Sequence, residues 1–337
     1  LKISGSNITS KNIIKFIDNL YSGPDLKALP EGILKNFNID YNEGMLKESS
    51  FSYQSNLGTN ISVKGLIKSD NIFDSNLNIK LTSTSSEEIL ELINNFNFLD
   101  KFPKIEFDQL KINSALNKGL FKIDTLNVID GESNATISGE IDIYNKDKRN
   151  LEIKLTKFNQ FDILPLPQLE EILTSLDTNY IDLECFLTDT NLEIVNLEIP
   201  VSGNSNLNIS GDVNLKNLKE TFLNIKFNDI RPFHIKTILD QTNQFRYLNY
   251  IELINFEEIQ GSIFLDLKEN STLINSIEFI QEKNVIGNIS GEISSGQFKG
   301  SVNIKKINLD QLDKKFLKIN RIKGFINVDL VVPNFIS

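Results

Sequence analysis

The chain reads as a mostly β protein with short amphipathic helices, built as an elongated repeat of antiparallel strands that form a curled sheet or groove. Three observations predict this. A short motif returns five times, as Ile3-Ser4-Gly5, Val63-Lys64-Gly65, Ile137-Ser138-Gly139, Ile209-Ser210-Gly211 and Ile289-Ser290-Gly291, in steps of 60, 74, 72 and 80 residues. The residues around each glycine alternate apolar and polar, which is the period of a strand with one wet face. A switch to helical spacing then recurs at about the same distance after the motif. Self-similarity at a fixed period marks a stacked architecture that grows by adding copies to one continuous core.

Each glycine strand is followed by a partner strand. Leu77-Asn78-Ile79-Lys80-Leu81, Leu151-Glu152-Ile153-Lys154-Leu155 and Leu223-Asn224-Ile225-Lys226-Phe227 all begin twelve residues after a glycine, and Val302-Asn303-Ile304-Lys305 stands one residue earlier. Polar turns such as Asn145-Lys146-Asp147-Lys148 make each pair an antiparallel hairpin. A helix is predicted next, from Ile89, Leu90, Leu92, Ile93 and Phe96, with Ser85 and Glu88 spaced as a capping box. The same spacing recurs at Leu169, Ile172, Leu173 and Leu176, at Ile235, Ile238 and Leu239, at Leu309, Leu312 and Phe316, and in the first copy at Ile13, Ile14, Phe16, Ile17 and Leu20. Further strands, for example Tyr180 to Leu187 and Leu192 to Ile199, lead to the next glycine.

One repeat of about 70 residues is thus four strands and one helix. The whole chain, 1–337, is a single array with units near 1–58, 59–132, 133–204, 205–284 and 285–337, the terminal ones incomplete. The chain starts within a repeat and without Met, which reads as a fragment or processed piece of a longer protein.

The repeat glycines Gly5, Gly65, Gly139, Gly211 and Gly291 fall in the apolar phase of their strands. A glycine there weakens a strand and marks a bend, a bulge or a close helix crossing. The second reading is that the absent side chain leaves room in a trough. The apolar phase also supplies the groove candidates: Val63, Ile79, Ile137, Ile141, Leu151, Ile153, Leu155, Ile209, Val213, Leu223, Ile225, Phe227, Ile289, Ile293, Val302 and Ile304.

Composition narrows the function classes. A net charge of −10 argues against nucleic acid, which needs a basic stripe. Hydrophobic residues make up 40%, enough for a packed core. Cys185 is the single cysteine, so no internal disulfide forms, and no run of about 18 apolar residues marks a transmembrane helix. His234 is the single histidine; triads and metal sites need several converging groups, so its reading is structural. Glu87-Glu88 and Glu170-Glu171 suit the first turns of helices. No phosphate loop, dinucleotide fingerprint or calcium loop occurs. The sequons at Asn7, Asn60, Asn134, Asn208, Asn270 and Asn288 read as polar-face strand residues. No catalytic residue, metal or cofactor is expected, and the chain reads as non-enzymatic.

The order of strand, Ile-Ser-Gly, strand, polar turn, strand and helix resembles the repeats of the AsmA-like family of Gram-negative bacteria. The stretch from Gly119 to Leu173 carries the likeness, with Leu120-Phe121-Lys122-Ile123-Asp124, Ala135 through Ile143, and Lys157 through Ile163; Ile304 to Leu312 is similar to a second copy of the approach to the helix. The resemblance implies a periplasmic protein anchored in the inner membrane, with an apolar trough that carries phospholipid or another acyl-chain lipid toward the outer membrane, and membrane proteins as partners at either end. An envelope scaffold with a self-sealed core, serving outer-membrane protein assembly, is the alternative.

Overall fold

The computed structural model describes residues 2–12, 30–42, 45–68, 71–95, 106–145, 148–159, 178–201, 203–241, 254, 256–295, 297–308 and 325–332. The helices expected at 13–20, 169–176 and 309–316 lie outside these residues. The chain divides into two compact units.

The N-terminal unit takes in Leu1–Ile163 together with Phe186–Asp189. It holds β1 (Lys2–Thr9), β2 (Gly32–Asn42), β3 (Met45–Ser55), β4 (Asn60–Lys68), β5 (Asn76–Ser83), β6 (Gln109–Asn117), β7 (Leu120–Asp130), β8 (Ser133–Asp142) and β9 (Arg149–Phe158), with helix α1 (Ser86–Asn95) after β5. Each strand pairs antiparallel with the next, from β1–β2 through β8–β9. This is a meander, the topology that short polar turns between alternating segments produce.

The C-terminal unit takes in Leu164–Cys185 and Thr190–Ser337. β10 (Ile181–Thr188) straddles the division. The strands that follow are β11 (Asn191–Pro200), β12 (Asn206–Asn214), β13 (Phe222–Ile230), β14 (Glu258–Asp266), β15 (Ser271–Gln281), β16 (Asn284–Ser294), β17 (Gln297–Asn308) and β18 (Phe325–Val332), again a meander of antiparallel pairs. Helix α2 (Pro232–Gln241) follows β13. The fold class is as the sequence predicts: mostly β, antiparallel, with short helices.

The strand count orders the repeat. The glycine motifs of β4, β8, β12 and β16 are four strands apart, and the strands after them are β5, β9, β13 and β17. β5 and β13 run almost directly into a helix. β1 does the same, since residues 10–12 are helical. β1 therefore belongs with β5, β9, β13 and β17. These five strands begin at residues 2, 76, 149, 222 and 297, or 73 to 75 residues apart.

Gly5 is thus not a repeat glycine. Its strand is the one that precedes a helix, its φ is not positive, and the space beside it is taken by the Phe37 ring. The 60-residue first step spans two different kinds of strand, β1 and β4.

α1 and α2 lie on the apolar side. Ile89 of α1 packs on Leu110 with Leu81, Ile112 and Leu126 around it. Ile235 of α2 packs against the Val201–Phe227–Ile230 cluster and against Phe256 and Phe279. Burying Ile89 contributes about 2 kcal/mol, the usual worth of a fully buried aliphatic side chain.

Candidate functional site: an apolar sheet face

Opposed residues of an antiparallel pair share a face, so strand register shows which side chains line up. In the N-terminal unit one row runs Phe51, Val63, Ile79, Ser114, Ile123, Gly139, Leu151 across seven strands. The next runs Tyr53, Ile61, Leu81, Ile112, Leu126, Ile137, Ile153. In the C-terminal unit the rows are Ile199, Leu207, Phe227, Gly261, Ile277, Ile289, Val302, Leu330 and Leu197, Ile209, Ile225, Ile263, Ile274, Gly291, Gly300, Val332.

Every sequence-predicted groove residue lies on this face of its unit. Ile141 pairs with Phe121, Leu155 with Ala135, Val213 with Leu192, Leu223 with Gly211, Ile293 with Phe298, and Ile304 with Gly287. Val63, Phe227 and Ile304 are buried; Ile293 is 37% exposed; the other candidates are half-buried. The rows thus mix buried members, among them Tyr53, Ile123, Ile199 and Ile274, with half-buried ones.

Sequence reasoning missed Leu77, Leu110, Leu116 and Ile123, which are more deeply buried than most candidates. Two of them carried a readable signal. Leu77 shares the alternating phase of Ile79 and Leu81, and Leu110 and Ile112 alternate with Lys111 and Asn113. Ile123 was hidden by a bulge. It and Leu126 both enter the rows, although three positions apart, because the pairing with β8 shifts between them.

That bulge is part of a recurring device. The strand before each repeat glycine shifts register beside it: between Leu46 and Ser49, Ile123 and Leu126, Ile194 and Leu197, and Ile274 and Ile277. The glycine itself takes a positive φ, for example +130° at Gly139 and +141° at Gly211, which L side chains rarely adopt. A Cβ on Gly139 would land on the Asn150 carbonyl oxygen of the next strand, and one on Gly211 on that of Phe222. The bend-and-bulge reading of these glycines therefore stands. The room left by the missing side chain is filled by neighbouring backbone and is not open to a ligand.

Polar groups fix the helices to the sheet. Glu88, 3% exposed, accepts hydrogen bonds from Ser55 Oγ at 2.6 Å and Thr59 Oγ1 at 2.5 Å, and Thr59 is in turn bonded to Ser83 at 2.7 Å. Half of the expected capping box forms: Glu88 N–H donates to Ser85 Oγ at 3.3 Å. The carboxylate does not return to the Ser85 N–H, which donates to Ser83 Oγ instead. Burial, with the Glu88 charge next, pushes the Tyr53 hydroxyl up to about 12; it donates to the Pro30 carbonyl.

His234 stands 23 residues after Gly211, as Glu88 does after Gly65, so the two hold the same place in the repeat. It is 1% exposed, its Nδ1 accepts from the Arg231 N–H at 3.3 Å, and desolvation followed by the Arg231 charge lowers its pKa. Cys185 is buried, and desolvation raises its thiol to about 11. Among the described residues, no group of three or more His, Cys, Asp or Glu is placed to hold a metal ion, and no helix is long and apolar enough to cross a membrane.

Comparison with protein-family models, curated proteins and solved structures gave no match. The likeness to AsmA-like repeats rests on sequence pattern and strand order alone.

Proposed function

We propose that the apolar face receives the acyl chains of phospholipids and that the protein carries them between the two membranes of a Gram-negative envelope, without chemistry on the cargo. On this reading the protein works in the periplasm, held at the inner membrane and joined to membrane proteins at either end. One observation carries this reading: apolar rows run across seven consecutive strands in the N-terminal unit and eight in the C-terminal unit, their members buried or half-buried, and among the described residues α1 and α2 pack on only part of them. Burying such a face against hydrocarbon is favourable at roughly 25 cal/mol per Å².

Ile153→Asp and Ile225→Asp test it. Each puts a charge in the middle of a row. Lipid bound after mild purification, measured by native mass spectrometry, is expected to fall while the circular dichroism spectrum stays that of the wild type. Unfolding of both variants, or a wild-type protein that never carries phospholipid, would favour a sealed-core scaffold instead, because an unpaired buried charge destabilises by several kcal/mol.

A further inference from the structure

Two hydroxyls interrupt the apolar rows of the N-terminal unit. Ser114 lies between Ile79 and Ile123, and Ser49 pairs with Gly65. They are 4% and 3% exposed, and neither Oγ has a hydrogen-bond partner among the described residues. The C-terminal unit does without them. The row place of Ser114, two strands before the repeat glycine, is held there by Ile263, and that of Ser49, opposite the glycine, by Ile274.

A buried hydroxyl without a partner opposes folding, and replacing it with an apolar group is nearly neutral or stabilising. A buried water needs two to four polar partners, and the row neighbours of Ser114, Ile79 and Ile123, offer no polar side chain.

We propose that Ser114 and Ser49 donate hydrogen bonds to the acyl-ester carbonyls of a diacyl glycerophospholipid lying on this face. This rests on the lipid-carrying reading above and gives it a chemical preference. The partner has to be an acceptor attached directly to hydrocarbon, because Ile79 and Ile123 flank the hydroxyl. An ester carbonyl fits that description. A free carboxylate would bring a charge onto an apolar surface at high cost, and an alkyl chain offers no acceptor. Both Oγ atoms are buried, so the lipid reaches them by parting the side chains above them. β3 and β6 are three strands apart, about 14 Å, so the serines serve two lipid positions and not both esters of one molecule.

The probe is an equimolar pair of phosphatidylethanolamines of equal chain length, one diester and one dialkyl ether, competing for the full 337-residue chain. Native mass spectrometry reads the ratio bound. Wild type is expected to carry the diester in about fivefold excess, the worth of one neutral hydrogen bond. In the Ser49→Ala/Ser114→Ala double variant the ratio is expected to fall to about one, with total lipid unchanged, and Ser114→Thr is expected to keep the preference. The double variant should melt at or above the wild-type temperature. No ester preference in wild type, its survival in the double variant, or a loss of stability in that variant overturns the proposal and leaves the apolar-face reading standing. Failure of both lipids to bind overturns that reading as well.

Discussion

Gly139→Ala is the sharpest test of the repeat device. The φ of +130° is strained for any L residue, which costs about 1–3 kcal/mol. The new Cβ would meet Leu151 Cα at 2.9 Å and the Asn150 carbonyl carbon at 3.0 Å. Both are backbone of β9, so relief requires prising apart the β8–β9 pair, a further cost of about 1–3 kcal/mol for overpacking. The sum, about 2–6 kcal/mol, is a large share of a typical domain stability of about 5–15 kcal/mol. With a urea dependence of about 2 kcal/mol per molar, the midpoint should drop by about 1 M or more. Gly131→Ala is the control. Its φ is +55° and no atom lies within 4 Å of the added Cβ, so only the left-handed penalty of about 1–2 kcal/mol applies. Urea unfolding followed by far-ultraviolet circular dichroism reads both. A Gly139→Ala midpoint equal to that of Gly131→Ala would refute the claim that neighbouring backbone is what demands glycine.

Four more expectations follow from the same geometry. Leu77→Ala, in the buried Val63–Leu77–Leu116 cluster, should destabilise by about 2–5 kcal/mol in thermal or urea unfolding, well above the effect of Ile153→Ala on its half-buried row. Glu88→Ala should cost about 1–3 kcal/mol by leaving the Ser55 and Thr59 hydroxyls without their acceptor, and Glu88→Gln, which keeps one acceptor oxygen, should cost less. The lowered pKa of His234 makes its stabilisation complete above the unfolded value near 6.5 and reduced as pH falls below it, because the unfolded chain then binds the proton more readily; the drop in melting temperature between about pH 7.5 and 5.5 should therefore shrink in His234→Gln. Cys185 should resist alkylation at about pH 8 in the folded protein and react once urea unfolds it, since the buried thiol stays protonated.

Much of this fold was legible because antiparallel strands with one apolar face write a period of two directly into the sequence. Leu151, Ile153 and Leu155 were placed on one face by alternation alone, and register bears that placement out. The α1 and α2 helices were legible from their own spacing. Two things were not. Register shifts break the alternation, so Ile123 and Leu126 looked out of phase although they line the same face. A three-residue motif also cannot report strand direction. Ile3-Ser4-Gly5 matched the repeat by letters, while only the strand count and the backbone at Gly5 show that β1 holds a different place. The two lone serines in the rows were visible as letters but carried no signal until pairing set them among apolar neighbours.

The number of strands per repeat has a consequence of its own. In a meander, direction reverses with every strand, so after four strands the chain points the way it began, and the next helix leaves from the same margin of the sheet as the last. A gene segment encoding four strands can be duplicated or deleted without turning any neighbour around. A segment of three or five would send every later helix to the opposite margin. Lineages of such chains are expected to differ in length by whole multiples of roughly 73 residues, the spacing from β5 to β9 and from β9 to β13.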